Sequence, residues 1–185
     1  MLKALATAFL LMFLSSGAAI ANGAQLSSYA GQENRGTKAL SAEEVATCLE
    51  GSGMGLGKAA ELNQYPGPAH VLALGNELGL TPDQRARTEM LFKTMEIEAV
   101  SLGKQLIDRE RVLDDMFASK TITKDKLQRS LAAIASLQGR IWQVHLRSHL
   151  VQAELLDAEQ LRRYDELGGY AEAGNSAREV HPQHH

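Results

Sequence analysis

Two apolar seams constrain this chain more than any other feature. Phe92, Met95, Ala99, Leu102, Leu106, Arg109, Leu113 and Met116 recur at alternating spacings of three and four, and all but Arg109 are apolar. Leu127, Ser130, Ile134, Leu137, Ile141, Val144, Ser148, Val151 and Leu155 repeat the pattern. Such alternation keeps one face of a helix turned towards a partner helix. Ile97, Val100 and Ile107 lie off the first seam and widen the face expected to be buried. Thr81 and Pro82 supply an N-cap and a first helical residue, so the first long helix runs from there to about Ser119. Lys120-Thr121-Ile122-Thr123 reads as a turn, and the second helix spans about Lys124 to Leu155. The pattern predicts an all-α fold built on a long antiparallel helical hairpin with short flanking helices.

The flanks carry their own signals. Ser41-Ala42-Glu43-Glu44 is a capping box that opens a helix to about Glu50, stopped by Gly51-Ser52-Gly53. Met54 to Leu62 reads as a second short helix, weakened by Gly55 and Gly57. Tyr65-Pro66-Gly67-Pro68 is a rigid turn, and Pro68 starts a helix expected to end at Gly79. A last helix starts at Asp157 and stops at Gly168-Gly169. Two helices of about 30 residues reach ~45 Å. A lone hairpin of that length buries too little of itself, so the short helices or a second copy must cover it, and a homodimer is expected.

The ends of the chain bear on location. Met1-Leu2-Lys3, the apolar run Leu5 to Leu14 and the small-x-small Ala19-Ile20-Ala21 form a secretory leader expected to be cut after Ala21. The apolar run is too short to span a bilayer, and Asn22 rather than Cys follows the cut, which excludes a lipoprotein signal. Residues 22–40 read as a polar, Gly-dotted arm, 41–170 as the helical domain, and 171–185 as a disordered tail. The expected destination is the periplasm. A formal net charge of −3 argues against nucleic-acid binding. The single cysteine, Cys48, excludes an internal disulfide framework and any CxxC site. It reads as a buried thiol, with an intermolecular disulfide or a soft-metal ligand as alternatives.

His145 and His149 lie four apart on the second helix and share a face, the spacing with which two imidazoles reach one transition metal. Ordinary partly buried histidines are the competing reading. Trp142, one turn earlier, is placed to shield them. With the turn near residue 121, antiparallel pairing sets side by side positions whose numbers add to about 242. His145 then faces Ile97, His149 faces Lys93, and Glu89, Met95, Glu96 and Glu98 lie within a turn. His145 is not followed by Glu, which excludes the HExxH of a metalloprotease. His181, His184 and His185 read as a disordered end, and Met54, Met90, Met95 and Met116 as core filler rather than a copper site. The basic residues from Arg85 to Arg129 read as a solvated face with ion pairs along the helix.

Leu80-Thr81-Pro82-Asp83-Gln84 and Leu156-Asp157-Ala158-Glu159-Gln160 flank the hairpin. The pair resembles the doubled LTxxQ motif of the Spy/CpxP family, with Asp157 where the family has Thr. The resemblance covers roughly residues 68–170, and the block upstream is similar to an extension found in one branch. It implies an all-helical, cradle-shaped periplasmic homodimer without enzymatic activity. Relatives include holdase chaperones that bind unfolded clients, regulatory partners of envelope sensor kinases, zinc-resistance proteins and CnrX-type nickel and cobalt sensors. Similarity to those sensors implies a site for zinc, nickel, cobalt or copper at His145 and His149, with His70 as an early ligand. Glu96 and Glu89 are the nearest substitutes for the sensors' carboxylate. Their second early histidine has no counterpart, since Leu74 or Gly75 stands near its place.

Overall fold

The computed structural model describes residues 29–53 and 55–168. The expected leader, residues 22–28 of the arm, Met54 and the tail with His181, His184 and His185 lie outside them. The chain divides into two units, 1–31 and 32–185. The described residues of the second unit form six helices: α1 (Ala42–Glu50), α2 (Lys58–Glu61), α3 (Pro68–Ala73), α4 (Pro82–Ala118), α5 (Lys124–Leu155) and α6 (Ala158–Leu167). No helix among the described residues is long and apolar enough to cross a membrane.

The fold is all-α, and α4 and α5 pack as an antiparallel hairpin. Ser148 Oγ lies 3.2 Å from Met95 Sδ, and Arg147 pairs with Glu98 at 2.6 Å. The numbers of these partners add to 243 and 245, so the expected register holds within about a turn. The hairpin closes through Lys120, which adopts φ 56° while the amides of Thr121 and Ile122 reach back to the Met116 carbonyl. Leu102, Leu106, Ile107, Ile134, Leu137, Ile141 and Val144 make one dry core. α1 crosses it and adds Cys48. A Cβ at Gly103 would run into the Cys48 backbone, so the close approach of α1 to α4 depends on that glycine. Burial raises the pKa of the Cys48 thiol, with Glu44 adding to the effect, which keeps it protonated.

The seams differ from their sequence reading at two positions. Arg109 is exposed, and Glu110 turns inward in its place. On α5, Val151 is at the surface while Gln152 is fully buried. Straight α-helices drift about 20° per heptad against a 3.5-residue repeat, so a strict three-four count loses the buried face over several turns. Ile97, expected to widen that face, is 60% exposed. α3 ends at Ala73 rather than Gly79, and turns of chain lead from there to Leu80. The last part of the segment read as an arm lies on the hairpin: Thr37 is buried, Leu40 packs on the core, and Lys38 pairs with Asp114 at 2.7 Å.

Candidate functional site

The segments Leu80–Gln84 and Leu156–Gln160 meet. Thr81 and Asp157 each accept the amide of the glutamine three residues on, and each glutamine carbonyl accepts the cap's own N–H at 3.0 Å. The two amides then join: Gln84 Nε2 donates to Gln160 Oε1 at 2.8 Å, and Gln160 Nε2 donates back to Gln84 Oε1 at 3.0 Å. Gln84 Nε2 also reaches the Leu155 carbonyl at 2.9 Å. The motif thus caps α4 and α6 and ties their N-termini together. Leu80 and Leu156 close over it, packed with Val71, Leu78 and Tyr164 in a second small core.

Beside this junction lies a cleft of about 610 Å³. Its floor is α5, one wall is α4, and the other wall is the loop, α2 and α3 that come after α1. His145, His149, His70, Glu96, Met95 and Glu61 all line it. Sequence reasoning placed four of these six as ligands and named Met95 nearby. Glu89 is not among the lining residues and lies exposed on α4. Trp142 does not cover the cleft; it is 55% exposed and lines a separate groove with Leu56, Ala59 and Leu62.

His145 is buried, and its Nε2 has no hydrogen-bond partner among the described residues. Burial, and then the nearby His149, lower its pKa, so it is neutral at pH 7. His149 is also buried, with Nδ1 2.8 Å from the Tyr65 carbonyl. A carbonyl only accepts, so Nδ1 carries a proton, which leaves Nε2 as the nitrogen that can offer a lone pair when the ring is neutral. The loop fits tightly round that ring: a Cβ at Gly57 would stand 2.5 Å from Nε2, and one at Gly67 2.9 Å from Cε1.

Glu61 is the residue that sequence reasoning missed. Its Oε1 accepts the Gly67 N–H at 3.0 Å, lies 2.9 Å from His70 Nδ1 and 4.0 Å from His149 Nδ1. Its Oε2 accepts the Tyr164 hydroxyl at 2.7 Å. Glu96 stands at the rim, paired with Lys93 at 3.1 Å. No signal in the sequence marked Glu61, which sits in a glycine-weakened segment whose path across α5 has no periodicity to read.

Among the described residues, no three His, Cys, Asp or Glu side chains stand close enough together to hold an ion as they lie. The donor chemistry nonetheless fits a transition metal: a neutral unpartnered imidazole, a second one with its tautomer fixed, and a carboxylate already turned towards two histidines. Comparison with protein-family models, curated proteins and solved structures found no match.

Proposed function

We propose that this is a non-enzymatic periplasmic stress protein of the Spy/CpxP type, which captures a divalent transition metal in the cleft. Zinc, nickel, cobalt and copper are the candidates. One observation carries the reading: a buried imidazole nitrogen, His145 Nε2, lacks a partner among the described residues, and its ring lines a cleft together with His149, Glu61 and His70. An unpartnered buried polar atom costs about 1–3 kcal/mol, and an electron-pair acceptor in the cleft would offset that. Imidazole with carboxylate suits these metals better than calcium or magnesium. His145, held neutral, would give up no proton on binding. The donors must draw together to close on an ion, so binding would favour a tighter arrangement of the loop against α5. Calorimetric titration of the mature chain with each metal tests the reading. Zinc should bind the wild type and not His145→Ala/His149→Ala; equal binding by both removes the site.

A second activity has its own support. Ile97, Val112, Phe117, Leu131 and Leu150 are all large, apolar and roughly half exposed or more along α4 and α5. Exposed apolar side chains of this kind suit burial against a second copy or against unfolded clients. Suppression of client aggregation in chelator would establish a metal-independent holdase. A specific complex with a periplasmic sensor-kinase domain, without such suppression, would assign a regulatory role instead.

A further inference from the structure

We infer that Tyr164 positions Glu61 for the cleft and thereby couples the docking of α6 to occupation of the His145–His149 site. The inference rests on the metal reading above.

The geometry divides the two oxygens of Glu61 between two tasks. Oε2 is held by the Tyr164 hydroxyl, and Oε1 is turned to Gly67, His70 and His149. Tyr164 is itself fixed, 2% exposed and packed with Val71, Leu78 and Leu156. A buried ring thus fixes a hydroxyl, and the hydroxyl orients a carboxylate. Groups in this position behind a metal ligand set its orientation, and their loss typically costs 10–100-fold in affinity.

α6 is only ten residues long. Gln160 docks its first turn through the Gln84 pair, and Tyr164, four residues on along the same face, docks its middle. The sign of the coupling is set by which oxygen does what. The Tyr164 hydroxyl holds Oε2 and also lies 3.4 Å from His70 Nδ1, while Oε1 takes the contacts to Gly67, His70 and His149, so the two tasks of Glu61 fall on different oxygens. Glu61 held towards the histidines is also Glu61 held to α6. A cation in the cleft and a docked α6 therefore favour the same carboxylate placement. Linkage is reciprocal: α6 docking tightens ion binding by the factor by which the ion tightens docking.

The test uses the full mature chain with zinc alone, read by calorimetry and by hydrogen exchange of the α6 amides. In the wild type, saturating zinc should slow α6 exchange about tenfold, and Tyr164→Phe should weaken zinc binding by a similar factor and lose the slowing. A tyrosine with a merely structural role would loosen α6 without moving zinc affinity. Zinc bound by the wild type with unchanged α6 exchange overturns the coupling and leaves the metal site standing. Equal zinc affinity in Tyr164→Phe does the same. Failure of the wild type to bind zinc overturns both. The wild-type exchange measurement decides the matter even where Tyr164→Phe proves too unstable to titrate.

Discussion

Through the middle of the hairpin, α4 and α5 meet by Leu102, Leu106, Ile134, Leu137 and Ile141, all buried and all apolar. Farther from the turn, the inward face of α5 carries His145, Ser148, His149 and Gln152 instead. The helix is the same and α4 still packs against it, with the loop, α2 and α3 added on the other side, yet the chemistry reverses. In the second region His145 Nε2 and both polar atoms of Gln152 are buried without partners among the described residues, each such group costing about 1–3 kcal/mol. A hairpin selected for stability alone would continue the leucine seam. The contrast marks the apolar stretch as what holds the fold and the two histidines of the polar stretch as what serves the cleft.

The largest expected effect lies in the apolar region. Leu102→Ala should cost about 3 kcal/mol in urea unfolding, from lost transfer energy and the cavity left behind. A cost under about 1 kcal/mol would break the comparison, because stability would then reside elsewhere. Next comes the motif junction. Gln84→Leu removes a cap interaction and half of the amide pair, and should cost about 2 kcal/mol. Gln160→Leu should cost a similar amount, but the double variant less than their sum, with a coupling of about 1 kcal/mol or more. Strict additivity would mean that the two glutamines act separately.

Local signals marked the ends of α1, α4 and α5 and the start of α6, though not the end of α3 or the bounds of α2. The capping box at Ser41, the caps at Thr81 and Asp157 and the Lys120 turn place helix ends where the structure has them, because capping is chemistry within a few residues. Helical phase was less legible. The exchange of Arg109 for Glu110 and of Val151 for Gln152 is a drift of one residue, invisible to a count that assumes a fixed repeat. The site was half legible. His145 and His149 share a face by spacing, and the hairpin register brings Glu96 near them. Glu61 was not, since a four-residue helix among glycines has no pattern to say where it crosses α5. The pairing of Gln84 with Gln160 was hidden for another reason: a motif shows its cap locally, whereas its partner is 76 residues away.

A smaller effect probes the polar region from the opposite direction. His145→Leu replaces an unpartnered buried ring with an apolar side chain of similar volume, and should stabilise the metal-free protein by about 1 kcal/mol. In the wild type zinc should raise Tm, whereas in the variant it should not. A destabilised variant would mean that His145 serves the fold, and the division between the two regions would lose its main support.

The smallest effect concerns the one acid that intrudes on the apolar stretch. Glu110 is only 8% exposed, and burial pushes its carboxyl above the ordinary value of 4.5. The unfolded chain ionises it near 4.5, while the folded chain holds the proton to higher pH. Stability is therefore undiminished below 4.5 and falls as pH rises through the folded value. Glu110→Gln keeps the shape without the charge. It should match the wild type at about pH 4 and exceed it by about 0.5–1 kcal/mol at about pH 7, the gap opening progressively between. Urea midpoints across that range measure it. A gap independent of pH would mean that the carboxylate finds solvent or a partner when ionised, and that the middle of the hairpin is less dry than its leucines suggest.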